Sequence, residues 1–109
     1  LYTELKAICV DNENTEKDHP VQWETLADFT EDLEEAISVY AKALTKAVAI
    51  NSKDYMSSIA FSMAQLHIEL GQIDTAIKNL QDAKVSANKI EDKELKSEIH
   101  DLLESLLTS

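Results

Sequence analysis

Two stretches, LEEAISVYAKA (residues 33–43) and IDTAIKNLQDA (residues 73–83), share a pattern of small and aliphatic residues that decides the fold of this 109-residue chain. Five positions agree at a constant offset of 40 residues: Leu33/Ile73, Ala36/Ala76, Ile37/Ile77, Tyr40/Leu80 and Ala43/Ala83. Residues spaced by three and four lie on one face of a helix. Because two helices approach closely only where small side chains meet, we expect these alanines to be buried contact points between packed helices.

Helical patterns extend outward from this repeat over most of the chain. The spacing predicts the last turns of a helix at residues 1–10, a polar loop up to Pro20, and helix over residues 21–50 with a break near Thr30. Further helices are predicted over residues 55–70, with Gly71 as a left-handed C-cap, over 74–90, and over 92–107. We therefore predict an all-α fold with roughly three-quarters of the residues in helices.

The composition excludes several classes of protein. One glycine and one proline are too few for turn-rich β-sandwiches or barrels, and a glycine-rich phosphate loop needs more than one glycine. The single cysteine excludes a disulfide framework and a cysteine-based zinc site, and the three histidines are not at metal-ligand spacing. No carboxylate pair stands out as an acid–base site. We therefore expect neither enzyme activity nor a cofactor or metal.

The net charge of −11 is unevenly distributed. The first 35 residues hold eleven acidic residues and two lysines, whereas the remainder holds ten and eight, and the chain has no arginine. This balance argues against direct binding of nucleic acid, and no apolar run approaches the roughly 20 residues that span a membrane. An acidic surface favours a basic protein partner, although the same charge also serves solubility. One cysteine and no secretory signal favour an intracellular setting.

The second of the two stretches, together with the helix before it, resembles a tetratricopeptide repeat, a helix–turn–helix unit of about 34 residues. The residues that carry this resemblance are Ala64, Leu70, Gly71, Ala76, Leu80 and Ala83, within residues 57–90. Residues 20–50 match in part, because Glu24 stands where the first helix of such a unit usually has a small residue. The resemblance implies a superhelical array of antiparallel helix pairs: a first repeat over 20–50, a second over 55–90, and a capping helix over 92–107. An ordinary antiparallel bundle is the alternative.

A narrower resemblance concerns the length of the repeat and the segment that follows it. The offset of 40 exceeds the usual repeat length, and the second unit is followed by the charged, leucine-rich segment KIEDKELKSEIHDLLESLL (residues 89–107). These features resemble the interrupted-repeat histone chaperones of the nuclear autoantigenic sperm protein family. That resemblance implies binding of histone H3 or H3–H4 and a nuclear location, in place of a cytoplasmic one. Because the chain starts without Met, we expect a piece of a longer protein.

Candidate partner-binding residues follow from the repeat register, in which the first helix of each unit lines a concave surface. They are Thr25, Asp28 and Phe29 in the first unit, Ser58, Phe61, Gln65, Ile68 and Glu69 in the second, and Glu31 and Asp32 in the adjoining acidic run. A groove with exposed apolar side chains suits a helical or extended peptide. The alternative is that Phe61 and Ile68 are buried beneath a neighbouring helix and that the acidic run is a solvated helix face.

The last predicted helix has a broad apolar face formed by Leu95, Ile99, Leu102 and Leu106. We expect this face to cap the stack of helices, as repeat arrays require. The alternative is a homodimer through the same four residues, since their spacing matches a short coiled-coil seam. The sequence thus predicts a non-catalytic protein-binding module for a basic or helical partner. A structural or oligomerisation segment of a larger assembly, without a free groove, is the alternative.

Overall fold

A computed structural model describes residues 2–13 and 19–108, and within these ranges the chain is helical, without a strand. The six helices are α1 (Tyr2–Asn12), α2 (Pro20–Asp28), α3 (Leu33–Ala49), α4 (Lys53–Glu69), α5 (Ile73–Ala87) and α6 (Lys93–Leu107). The predicted all-α class is therefore confirmed. Most of the predicted polar loop before Pro20 lies outside the described residues, as do the side chains of Leu5 and Ile8.

Local signals in the sequence account for where the helices begin. Pro20 occupies the first turn of α2, where its missing N–H costs nothing. The side chains of Asp32, Ser52 and Asp92 cap α3, α4 and α6 by accepting hydrogen bonds from backbone N–H groups three residues later, at 2.9, 3.4 and 3.0 Å. Such a bond satisfies one of the donors left free at a helix start. The break near Thr30 falls between α2 and α3, as predicted.

Two helices end in the same way, through a residue with a positive φ angle. Gly71 ends α4 at φ 77°, as the sequence predicted, and Asn51 ends α3 at φ 52°, which the sequence analysis did not anticipate. In both turns the following N–H reaches back to a helix carbonyl: Ser52 to Ala47 at 2.9 Å, and Gln72 to His67 at 2.8 Å. This bonding pattern reverses the chain tightly, so that α3 and α4, and then α4 and α5, form antiparallel hairpins.

Each helix packs chiefly against its neighbours in sequence, and α4 lies between two hydrophobic cores. The first core joins α2, α3 and one face of α4, with Trp23 and Leu26 at its centre. The second core joins the other face of α4 to α5 and α6 around Leu80 and Ile99. On α4, Ile59 belongs to the first core, whereas residues one position further along the helix belong to the second. The shared helix therefore couples the two halves of the fold.

The repeated alanines are buried, as the sequence predicted. Ala36, Ala43, Ala76 and Ala83 have no more than 2% of their surface exposed. The structure adds a sixth pair at the same offset, Ala47/Ala87, which is buried as well. Alanine removes the side-chain bulk that would hold two helices apart, so these positions lie where α3 and α5 contact their neighbours.

Candidate functional site

A cleft of about 340 Å³ opens where α2, α4 and the start of α6 come together. Helix α6 packs mainly on α5, which leaves its first turns standing apart from the first turns of α4. The residues that line this acidic cleft are Glu24, Asp54, Tyr55, Ser58, Asp92, Glu94, Leu95 and Glu98. Five of these eight side chains are carboxylates, while Tyr55 and Leu95 supply apolar surface. The cleft is therefore strongly acidic, with a smaller apolar part to its wall.

Favourable interactions with helix N-termini account for three of the five carboxylates of the acidic cleft and not for the other two. Asp54 and Glu94 lie in the first turns of α4 and α6, and Asp92 caps α6, so all three interact favourably with the positive ends of helix dipoles. Glu24 and Glu98 lie beyond the first turn of their helices and gain no such stabilisation. Lys42 and Lys46 form ion pairs with Glu13, and neither pair involves a carboxylate of the cleft.

Glu24 links two walls of the acidic cleft. Its carboxylate, half-buried, accepts a hydrogen bond of 2.9 Å from the Ser58 hydroxyl, which connects α2 to α4. Burial raises the pKa of Glu24, the charge of Asp28 raises it further, and the bond from Ser58 lowers it in part. At the position where the resemblance implied a small residue, this chain thus uses a polar contact between helices in place of close packing.

A second polar contact fixes Asp28, one of the predicted partner-binding residues. The buried Tyr40 of α3 donates a hydrogen bond from its hydroxyl to the Asp28 carboxylate. Burial raises the pKa of Tyr40 well above its usual range, and the carboxylate it bonds raises it further. Asp28 is exposed at the same time. Its carboxylate therefore supports the packing of α2 on α3 while still facing solvent.

The structure divides the predicted partner-binding residues of the second unit. Ser58 lines the acidic cleft, and Gln65 and Glu69 lie exposed further along α4. Phe61 and Ile68, which were expected on the groove face, are half-buried and pack against the second core. Contacts within the chain thus take up much of their apolar surface, and their part in a groove stays a prediction.

The predicted residues of the first unit also fall into separate places. Phe29, Glu31 and Asp32 line a hollow of about 270 Å³ at the turn between α2 and α3, together with Thr30 and Glu35. Phe29 is 50% exposed there, while Thr25 is half-buried on α2. The structure therefore does not gather the ten predicted residues into one site, and Ser58 alone of them lines the acidic cleft.

Most residues of the acidic cleft were not predicted from the sequence as binding residues. The sequence pattern does not single out Asp54, Tyr55, Asp92, Glu94 or Glu98, because their proximity depends on where α6 lies relative to α4. One signal was available: Glu94 and Glu98 are spaced by one helical turn, so their side chains share a face of α6. If the first helix of each pair lines one surface, as the resemblance implies, this face of α6 is expected to lie beside α4.

The apolar face of α6 packs within the chain. Ile99 is fully buried in the second core, and Leu95, Leu102 and Leu106 are half-buried against it. This is the contact expected of a cap over the end of a helical stack. A homodimer through the same face stays a prediction, and it would have only the exposed fractions of these leucines available.

Three further findings bear on function. Among residues 2–13 and 19–108, no group of three or more His, Cys, Asp or Glu side chains is arranged to hold a metal ion. In the same part of the chain, no helix is both long and apolar enough to cross a membrane. A scan against protein-family models found no match, and searches of curated proteins and of solved structures found none either.

Proposed function

We propose that this chain is a non-catalytic protein-binding module that holds a basic segment of a partner protein in the acidic cleft. The observation that carries the proposal is the placement of Glu24 and Glu98, on different helices, at one cleft where no lysine of residues 2–13 or 19–108 pairs with them. Neither residue has a capping role that would explain its charge. A lysine or arginine from outside the chain would offset the negative charge that these two carboxylates bring to the cleft.

The chemistry of the cleft favours a long cationic side chain over a small cation. Tyr55 and Leu95 offer apolar surface to an aliphatic stem, while the carboxylates attract the charged end. The net charge of −11 adds a long-range attraction that speeds the encounter with a basic partner. The partner class is therefore a lysine- or arginine-rich protein segment.

The resemblance to tetratricopeptide repeats supports the same proposal. It implies that the first helices of successive pairs line a concave binding surface, and α2, α4 and α6 are the helices that line the acidic cleft. Histone H3, alone or with H4, is the partner class that the narrower resemblance names, and its basic segments fit this chemistry. A histone partner would place the protein in the nucleus, and another basic partner in the cytoplasm.

The experiment is a titration of the chain with H3–H4 and, separately, with a peptide of the basic H3 tail, at rising salt concentration. We expect binding at low salt that weakens as salt screens the charges. Glu98→Lys should weaken binding about tenfold, since it places a cation in the cleft. Glu104→Lys makes the same charge change on α6 outside the lining of the cleft and should have a much smaller effect.

Two results would contradict this proposal. If neither histone probe binds at low salt, the histone version is wrong. If Glu98→Lys and Glu104→Lys weaken binding equally, net charge and not the cleft carries the attraction.

Gln65→Ala and Glu69→Ala test whether the contact continues along α4, because these side chains are exposed and their replacement leaves the cores intact. Phe61 is unsuitable for that purpose, because it supports the second core.

A structural role in a larger assembly is the second candidate. It is favoured by exposed aliphatic side chains away from the acidic cleft, among them Val10, Ile50 and Leu107. Such a segment would join its neighbours through apolar contacts, and its acidic residues would serve solubility alone. Charge changes in the cleft would then leave its interactions unaltered, so the pair of variants at Glu98 and Glu104 separates the two candidates.

A further inference from the structure

A second groove, of about 320 Å³, runs between α3 and α5 with α4 at its floor. The residues that line this outer groove are Leu44, Val48, Met56, Ala60, Asn79, Asp82, Val85 and Ser86. On α4, its floor residues lie about half a helical turn from the residues that line the acidic cleft. The two depressions are therefore on opposite sides of α4 and can be tested independently.

The outer groove has a counterpart in the first half of the fold, between α1 and α3 over α2. Val39 and Lys42 line the counterpart, and the residues 40 positions later, Asn79 and Asp82, line the outer groove. In the counterpart, the lining lysine is paired with other side chains of the chain. The ammonium nitrogen of Lys42 is 2.6 Å from a Glu13 carboxylate oxygen and 4.4 Å from the centre of the Trp23 ring.

The outer groove has no such ion pair among its described lining residues, and its charge is reversed. Asp82 replaces the lysine, so a negative charge stands where the counterpart has a positive one. Val48 and Val85 are 54% and 69% exposed. Asn79 stands in place of Val39, and its buried carbonyl oxygen accepts no hydrogen bond from any described residue. Asn79 therefore departs from the repeat. A buried polar atom without a hydrogen bond is unfavourable, so packing within the chain does not explain an asparagine at this position.

We propose that the outer groove docks an amphipathic helical segment of another protein. An aliphatic side chain of that segment fits between Val48 and Val85. A lysine one turn further along the segment pairs with Asp82, as Lys42 pairs with Glu13 in the counterpart. Helices that lie in apolar grooves use anchors at such spacings. Charge complementarity selects this occupant over a second copy of the chain, because two copies of net charge −11 repel each other.

The probe is a short synthetic helical peptide with a leucine and a lysine one turn apart on one face. Two matched peptides carry glutamate for that lysine, or alanine for that leucine. The readout is the change in backbone amide shifts of the labelled chain. We expect the first peptide to shift the amides of Val48, Ala60 and Val85, and each matched peptide to bind about tenfold more weakly.

Asp82→Lys should reverse the charge preference, so that the glutamate peptide binds more tightly than the lysine peptide. Asp82 is exposed, so this variant is expected to fold. Asp101→Lys makes the same change in net charge at an exposed position of α6 and should leave the preference as it was. Val85→Glu, also at an exposed position, should abolish binding of the first peptide.

Three outcomes would overturn this inference. One is that the lysine and glutamate peptides bind the unaltered chain equally. Another is that the shifts appear only around Ser58 and Glu98, which would assign the peptide to the acidic cleft. The third is that the chain self-associates and Val85→Glu abolishes that association, which would make a second copy the occupant. The last two outcomes leave the proposed function of the acidic cleft standing.

Discussion

The two helix pairs, α2–α3 and α4–α5, are alike in their second helices and unlike in their first. Helices α3 and α5 bury alanines at matching positions against their neighbours. Helix α2 has 9 residues and fills its contact with the large side chains of Trp23 and Leu26, whereas α4 has 17 and contributes Ala60 and Ala64 to the contact with α5. The second helices thus preserve the packing pattern, while the first helices vary and bear two of the five carboxylates of the acidic cleft, Glu24 and Asp54.

This difference follows from what each helix must contact. All four helices lie against helices on both sides, and the buried alanines of α3 and α5 stand at such contacts, so a larger side chain there would push a neighbour away. Residues of α2 and α4 that face the cleft have solvent beside them, and a change of size or charge there costs little packing energy. Substitutions are therefore expected to cost little at the acidic cleft and more at the buried alanines.

The largest expected effect comes from enlarging a matched pair of alanines. Ala43→Leu and Ala83→Leu each add three carbons at a position with no exposed surface. We expect both to lower the free energy of unfolding by about 1–3 kcal/mol, because overpacking forces side chains and backbone to shift. Urea unfolding followed by circular dichroism measures the change.

The control for that comparison is Ala41→Leu, at an exposed position of α3. It should change the free energy of unfolding by about 0.5 kcal/mol or less. If Ala83→Leu proves costly while Ala43→Leu behaves like the control, the two helices are not equivalent in packing, and the repeat is a pattern of sequence without a shared structural role.

Much of the fold was predictable because its signals are local. Gly71 as a helix end and the alanine spacing each depend on residues within a turn or two. The acidic cleft was not predictable in the same way, because it forms where the start of α6 stands beside the start of α4, nearly 40 residues earlier in the sequence. The exposure of Phe61 was left open for the same reason: the neighbouring core determines how much of its surface is exposed.

An intermediate effect is expected at the two helix ends with positive φ. Gly71→Ala should cost about 1 kcal/mol, because a residue with a Cβ rarely adopts this conformation. A Cβ at Gly71 would meet no described atom within 4 Å, so the cost comes from the backbone and not from a clash. Asn51→Gly should be stabilising by a few tenths of a kcal/mol, since asparagine tolerates the left-handed region less well than glycine. Thermal unfolding of both variants makes the comparison.

A loss of stability in Asn51→Gly would show that the asparagine side chain contributes more than its backbone tolerance. In that case the two helix ends would share a backbone geometry but would be stabilised by different interactions. Asn51→Ala completes the series: its cost should be smaller than that of Gly71→Ala, because asparagine already bears part of the strain that glycine avoids.

The smallest expected effect concerns Glu24, the residue at which the first helices differ most in chemistry. Because burial raises its pKa above the ordinary value of 4.5, the ionised form is disfavoured in the folded chain relative to the unfolded one. The cost is present above the folded pKa and vanishes below the unfolded pKa. Glu24→Gln should therefore be slightly more stable than the unaltered chain at neutral pH, and the advantage should disappear as the pH falls below 4.5.

The advantage must be separated from the general benefit of removing one negative charge from an acidic chain. Glu31→Gln, at an exposed position, reports that general benefit, and the difference between the two variants is the local effect of Glu24. Ser58→Ala removes the hydrogen bond that lowers the pKa of Glu24, so a carboxyl titration followed by NMR should shift to higher pH in that variant. If Glu24→Gln and Glu31→Gln have the same pH dependence, burial does not penalise the charge of Glu24. Its carboxylate would then be as freely solvated as the others of the cleft, and equally available to a cationic partner.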